Sequence, residues 1–407
     1  MSEHVVIVGA GHAAGQLAQS LRMDGFEGNI TIVGDEPYAP YQRPPLSKGL
    51  ISGNETLDDL YLRDPNGYGE IGVELVLNTA VTAINRAAKT VTFSSDDTLS
   101  YDKLVLATGT RVRELPLPGA DLENVFYLRT LDHSQAIQDV MAPGRKLSVI
   151  GGGFIGLEMA ASAAKLGLDV TVLEAADRLM GRAVSHEISN FYKDHHQDQG
   201  VAVHTGIGIT HLSGDGSVEA VALADGNQVA ADIVVIGIGV LPNSEVAEEA
   251  GLDVENGIVV DEFCKTNDPD IFAIGDCTNH PNPAAGRNIR LESVQNAVDQ
   301  ARTVSGVMCG KQAPYAALPW FWSDQFELRL QIAGLIFDTQ KTVTRPSDEE
   351  TSFSVFHYGD NGIIACEAVN APKDFMAAKM MIAKNVNPDP ERLGDPEVPI
   401  RDLMRGN

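Results

Sequence analysis

An α/β fold of two parallel-sheet domains followed by a smaller α+β domain is predicted by three features of this 407-residue chain. An apolar strand pattern at residues 4–8 runs into a glycine loop, a helical pattern and a second strand. The same arrangement returns at residues 147–173. Near residue 320 the pattern changes to strand-like pieces that end in one helix. The repeat is far longer than a solenoid period, so it marks duplication of one unit.

In the first unit, His4 to Val8 is β-branched and apolar, and Gly9, Gly11 and Gly15 punctuate the next stretch of chain. Leu17, Ala18 and Leu21 supply the apolar face of a helix, and Gly28-Asn29 turns the chain into the strand Ile30–Val33. Strand, helix and strand make one parallel crossover. In the second unit, Leu147–Ile150 is the strand, Gly151 to Gly156 the loop, and Leu157–Leu166 an Ala-rich helix that Gly167 ends. Asp169–Leu173 is its second strand. Further strands are expected at Lys103–Ala107, Ile233–Ile238 and Ile271–Ile274. Pro116, Pro118 and Gly119 mark a linker over 113–119. The third domain opens around Pro314–Trp322, with strands Leu328–Ile332 and Phe353–Tyr358 and a helix Phe375–Lys384. The spacing of Met376, Met380 and Met381 predicts core packing for all three. The last stretch, with Pro388, Pro390, Pro396 and Pro399, reads as extended and surface-bound. The expected domains are 1–112 with 244–319, then 113–243, then 320–407.

Lys plus Arg number 30 and Asp plus Glu 56, a formal charge of −26. Phosphate binding needs clustered basic residues, so nucleic acid is excluded as the main partner. The longest apolar runs, such as Ile233 to Pro242, are shorter than the roughly 18 residues of a membrane span. Glu3 and the lack of a basic stretch argue against a signal peptide. Cys264, Cys277, Cys309 and Cys366 form no C-x-x-C, so a reduced, cytoplasmic protein with structural thiols is expected. His195-His196 lacks ligand spacing and reads as solvated surface, so no metal is expected.

The two loops are Gly9-x-Gly11-x-x-Ala14 and Gly151-x-Gly153-x-x-Gly156. The first glycine allows a tight turn, the second lets backbone approach a pyrophosphate, and the third small residue lets helix pack on strand. The helix N-terminus then offers free N–H groups and partial positive charge. Asp35 and Glu174 follow at the distance where an acidic residue binds an adenosine ribose. The fold class is therefore two Rossmann-like dinucleotide-binding domains plus the C-terminal α+β domain. Glu174 would accept ribose hydroxyls but repel a 2′-phosphate, which favours NADH. Arg178 and Arg182 nearby keep NADPH as the alternative.

With these loops, Tyr101–Thr110, Ala231–Asn243 and Thr266–Asp276 make the chain resemble the two-dinucleotide flavoproteins. That family holds FAD at the first loop and NAD(P)H at the second. Its disulfide reductases carry cysteines soon after the first acidic residue, but Asp35 to Lys48 here contains no sulfur. Pro44-Pro-Leu-Ser-Lys48, Tyr61-Leu-Arg63, Tyr127-Leu-Arg-Thr130, Leu291-Glu-Ser-Val-Gln295 and Trp320-Phe-Trp-Ser-Asp-Gln325 are similar to the FAD-dependent ferredoxin reductase branch. This is the putidaredoxin reductase and ring-hydroxylating dioxygenase reductase type.

The resemblance implies FAD contacts at Ala13, Ala14, Asp35, Arg43, Lys48, Val81, Thr108, Gly109, Arg129, Asp276 and Val294. It implies NADH contacts at Ile155, Glu158, Glu174, Arg182 and Gly239. Lys48 would lie near flavin N5, with Glu158 holding it. A helix opening at Glu292–Gln295 and running to Arg302 would face the flavin's N1–C2=O edge. Trp320-Phe321-Trp322 reads equally as core or as rings beside flavin or acceptor. The implied reaction is hydride transfer from NADH to FAD, then single electrons to a [2Fe–2S] ferredoxin that feeds an oxygenase. A rubredoxin acceptor, and a redox-sensing flavoprotein like apoptosis-inducing factor, are the alternatives. A chain at −26 repels an acidic ferredoxin at long range, so docking needs a local exception. The resemblance implies that the segments of Arg63 and Arg302 lie around the flavin's exposed edge, with Arg287 and Arg290 as further candidates. Monomer and dimer both remain open.

Overall fold

The computed structural model describes residues 3–347 and 349–404, which form two compact units. The first takes the chain up to Arg43, then Thr56–Arg111 and Leu241–Pro319. The second takes Pro44–Glu55, Val112–Val240 and the chain from Trp320 onward.

The first unit is built on a five-stranded parallel sheet. Its order is Ile271–Ala273, Lys103–Leu106, His4–Val8, Asn29–Val33, Val73–Val76. Val5, Val6 and Ile7 are fully buried because both faces are covered, which explains the unbroken apolar run. Helices His12–Met23 and Val294–Met308 pack on one face through Leu17, Leu21, Ala301 and Val304. The other face meets a small antiparallel sheet through Ile84 and Val91. From His4–Val8 the chain goes first to Asn29–Val33 on one side and later to Lys103–Leu106 on the other. The strand order therefore switches at the central strand, where open α/β sheets bind ligands.

The second unit repeats this plan with the order Ala202–Thr205, Asp169–Glu174, Lys146–Ile150, Ile233–Ile236, Val125–Tyr127, all parallel. Helix Phe154–Lys165 follows the central strand. The 3₁₀ turn Pro44–Ser47 belongs here for a specific reason. Ser134 Oγ donates to Leu46 O at 2.8 Å, Ser162 Oγ to Ser47 O at 2.8 Å and Gln138 Nε2 to Leu50 O at 3.0 Å.

A five-stranded antiparallel sheet completes this unit, in the order Trp320–Gln325, Leu328–Gly334, Gly362–Val369, Phe353–Gly359, Lys341–Pro346. Helix Pro372–Lys384 packs on it through Phe375, Ala378 and Met381. Only Met381 of the three methionines is core; Met376 is 55% and Met380 41% exposed. Five residues of helix separate Met376 from Met381 by about 140°, which sends them to different faces. The Pro-rich tail is also not simply extended. It forms short helices Pro390–Gly394 and Ile400–Leu403 and buries Leu393 and Leu403. Buried Arg345 clasps it, donating to the carbonyls of Leu393 at 2.9 Å, Asp395 at 2.7 Å and Val398 at 2.8 Å.

Arg345→Met leaves three carbonyls without their donor and removes the cation beside Asp374, which keeps Ser354 and whose carboxyl burial already pushes up. A loss of about 3 kcal/mol is expected. Both tryptophans, Trp320 and Trp322, lie in this domain, so urea unfolding followed by tryptophan fluorescence reads it directly. An unchanged midpoint would contradict the clasp.

Candidate active site

The first glycine loop sits at the carboxyl end of His4–Val8, at the switch in strand order. Gly9 has φ +106°, and a Cβ there would lie 2.2 Å from Ala107 O, so only glycine allows the two strands to close. A Cβ on Gly11 would meet nothing within 4 Å. Gly11 caps helix His12–Met23 with no side chain to satisfy the leading amides, so those of His12, Ala13 and Ala14 are left for a ligand. His12 Nδ1 is buried with no partner, and burial pulls this imidazole down to about 4. An open hollow, uncapped amides and an orphaned buried nitrogen fit a bound dinucleotide.

The other expected residues of this unit lie around the same sheet. Asp35 is exposed just beyond Val33, while its neighbour Glu36 is engaged by Tyr41 and by Arg43, the latter at 2.5 Å. Burial works against the Arg43 charge, but Tyr41, Glu36 and Asp276 together raise it. Thr108 and Gly109 follow Lys103–Leu106, tied by Thr108 Oγ1 to Asn243 O at 2.6 Å and Asn243 N to Gly109 O at 3.0 Å. Asp276 lies in the turn Gly275–Cys277, set by buried Gln300, which accepts from Gly275 N at 2.7 Å. Val294 is the first residue of its helix, capped by Ser293, and Val81 opens the strand Val81–Asn85. Cys277 is fully buried and donates to carbonyls, as a structural thiol does.

The second loop has the same geometry. A Cβ on Gly151, at φ +110°, would lie 2.4 Å from Gly237 O, and one on Gly156 2.1 Å from Gly151 O. A Cβ on Gly153 would again meet nothing within 4 Å. Glu174 Oε2 accepts from Gly152 N at 2.6 Å and its Oε1 from Ala176 N at 2.7 Å, which fixes the carboxylate beside the loop. Arg178 is spent on backbone carbonyls, 2.7 Å from Val184 O and 2.5 Å from Gly181 O. Arg182 is exposed and reaches Gly239, its Nη2 3.6 Å from where that residue's Cβ would be. Ile155 is 44% exposed beside the cradle, and Arg129 follows the strand Val125–Tyr127.

Lys48 and Glu158, distant in sequence, meet in this unit. Lys48 Nζ lies 2.9 Å from Glu158 Oε1, with Lys48 22% and Glu158 5% exposed. Ser323 Oγ donates to the same oxygen at 2.7 Å and Ser47 Oγ to Oε2 at 2.6 Å. Sequence reasoning missed both serines, although each stands inside a segment it singled out. Phe154 packs against Phe321 with ring centroids 4.5 Å apart and planes tilted by 46°, while Trp320 packs on Phe375 and under Lys379. His196 is not solvated: it is fully buried and paired with Gln325. Its neighbour His195 faces Glu327. Among the described residues, no group of three His, Cys, Asp or Glu side chains is arranged to hold a metal ion.

The four candidate docking arginines differ. Arg63 bonds only to Gly67 O and has no carboxylate partner among the described residues. Arg302 is 64% exposed and 3.5 Å from Asp299, and Arg290 is paired to Glu292 at 2.5 Å. Arg287 is exposed on the strand Arg287–Ile289.

The loop geometry separates binding from folding. Gly153→Val fills open space, so thermal stability stays near that of the parent while dinucleotide affinity falls at least about tenfold by titration. Gly156→Val meets Gly151 O and destabilises the unit. Equal affinity in Gly153→Val would contradict the cradle.

The signature of the pyridine nucleotide-disulphide oxidoreductase family matches residues 3–301, and that of the reductase C-terminal domain matches 320–404. Rhodocoxin reductase of Rhodococcus erythropolis is 44% identical over 98% of this chain and 93% of its own length. The ferredoxin–NAD(+) reductase component of an anthranilate 1,2-dioxygenase system from Burkholderia cepacia is 41% identical over 98% of both chains. The reductase in a covalent putidaredoxin reductase–putidaredoxin complex superposes with a TM-score of 0.96 at 41% identity, over 99% of this chain and 98% of that one. With two glycine cradles on two parallel sheets and this extent of similarity, the chain belongs to the pyridine nucleotide-disulphide oxidoreductase family and carries that family's reductase C-terminal domain.

Proposed function

We propose that this protein is an NADH-dependent ferredoxin reductase that carries FAD. The observation that carries the reading is the pair of matched glycine cradles, joined to a Lys48–Glu158 ion pair in a chain with no sulfur between Asp35 and Lys48. Bound FAD would accept a hydride from NADH and release its electrons singly, the chemistry a [2Fe–2S] acceptor needs.

In the first unit, the amides of Ala13 and Ala14 would hold the FAD pyrophosphate, with Gly9 and Gly11 letting backbone approach. Asp35 would take the ribose, and Arg43, Val81, Thr108, Gly109, Asp276 and Val294 would hold the rest. In the second unit, Gly151, Gly153, Ile155 and Gly156 would hold the NADH pyrophosphate, with Arg182 and Gly239 alongside. Glu174 would accept the ribose hydroxyls, and its fixed carboxylate would repel a 2′-phosphate. With Arg178 spent on carbonyls, NADH is favoured over NADPH.

Lys48 is the catalytic candidate. Glu158 and its serine donors hold the ammonium in one place, where a cation stabilises developing negative charge without reorganising. Glu158 acts by holding Lys48. With no cysteine between Asp35 and Lys48, the chain lacks the thiols that disulfide reductases carry there, and electrons would pass to an external protein. The solved relative that holds putidaredoxin supports a ferredoxin partner, and the relative from an anthranilate 1,2-dioxygenase system supports one that feeds an oxygenase. Arg63, free of a carboxylate partner among the described residues, is the first docking residue, with Arg302 as the second. Four unpaired cysteines favour the cytoplasm, and no described helix is long and apolar enough to cross a membrane.

Purified protein should contain FAD and reduce a [2Fe–2S] ferredoxin with NADH; a folded, flavin-free protein overturns the reading, and faster transfer to rubredoxin reassigns the acceptor. Lys48→Met should slow flavin reduction by NADH about a hundredfold in stopped flow. Arg63→Glu or Arg302→Glu should slow ferredoxin reduction about tenfold and leave flavin reduction by NADH intact. Unchanged ferredoxin kinetics in both variants removes the docking patch.

A further inference from the structure

The hydrogen bonds around Glu158 do not stop at Ser323. Gln325 Nε2 donates to Ser323 Oγ at 3.1 Å, and Gln325 Oε1 pairs with His196 Nε2 at 2.9 Å. Ser323, Gln325 and His196 are each no more than 1% exposed. With the amide nitrogen turned to Ser323, Gln325 offers His196 only an oxygen, so imidazole Nε2 carries the proton. Burial pulls His196 down to about 4, so the ring is neutral, and its Nδ1 is buried with no partner. Along this chain the hydrogens then run one way, His196 to Gln325, Gln325 to Ser323 and Ser323 to Glu158, while Gln325 Nε2 also donates to Met180 Sδ. A serine hydroxyl has one hydrogen, and the donation from Gln325 occupies a lone pair that would otherwise let it rotate. That commits the Ser323 hydrogen to the same Glu158 oxygen that binds Lys48.

An apolar pair would fill this space without an orphaned Nδ1. A polar chain that leaves one group unsatisfied and ends at the Glu158 carboxylate, which holds Lys48, points to a task beyond packing. We infer that Gln325 and His196 are positioning residues for Lys48, acting through Ser323 and Glu158. The inference rests on the role proposed above for Lys48.

The test uses the flavin-loaded full chain. Selective ¹⁵N-histidine NMR at pH 7 should show His196 as the neutral Nε2–H tautomer, its signal identified by loss in His196→Gln. Gln325→Met, close in volume, should slow flavin reduction at saturating NADH about fivefold with the NADH dissociation constant unchanged. In a Lys48→Met background it should add no further slowing. An Nδ1–H tautomer, or full additivity of the two substitutions, overturns the inference. A fall in NADH affinity with the reduction rate intact does the same, since it marks a merely structural role. Slow Lys48→Met beside unchanged Gln325→Met sinks the positioning chain alone. An unaffected Lys48→Met sinks the role of Lys48 and the chain with it.

Discussion

A single buried carboxylate, Glu158, ties together three stretches of the second unit. Removing a carboxylate from water costs several kcal/mol unless its oxygens are fully occupied. Here Lys48, Ser47 and Ser323 occupy them, and they arrive from a 3₁₀ turn and a strand far from the helix that carries Glu158. Three stretches of chain must therefore be in register before the charge is tolerated. These contacts, with the hydrogen bonds from Ser134, Ser162 and Gln138, tie Pro44–Glu55 to the second unit rather than the first. They also hold a flexible lysine, whose side chain would otherwise roam, at one point.

The backbone of both sheets is legible in the sequence because its constraints are local. Gly9 and Gly151 must face a carbonyl of the neighbouring strand at under 3 Å from any Cβ, and only glycine permits that. A sequence displays such a requirement openly. Its apolar pattern overstates strand ends by a residue or two, as at Ile233–Ile236, where the chain leaves the ladder once it turns into the site. The errors fall where burial is decided by tertiary partners. His196 reads as solvated because its partner, Gln325, lies 129 residues away. Met376 reads as buried because spacing alone does not say which side of a helix meets the sheet. The tail reads as loose because nothing near it announces that Arg345 will collect its carbonyls.

Charge shows the same division between bulk and local order. The total of −26 describes the surface as a whole. Individual arginines escape it or do not according to their neighbours. Arg290 is cancelled by Glu292 at 2.5 Å and Arg178 is consumed by carbonyls, whereas Arg63 keeps its charge uncompensated by any described carboxylate. Composition predicts the repulsion that a negatively charged partner meets at a distance; only the pairing pattern tells where that repulsion is relieved.

The two amide bonds to Glu174 bear on how this lineage can change its diet of coenzyme. The carboxylate that would discriminate against a 2′-phosphate also buttresses the loop, accepting from Gly152 and Ala176. A mutation that admits the phosphate thus loosens the cradle that must hold it. A single step toward NADPH would pass through a weakened cradle. Selection for the other coenzyme would first have to install a substitute acceptor for Gly152 and Ala176. Cofactor choice at this loop would thus be protected by the cost of leaving two backbone amides without their acceptor.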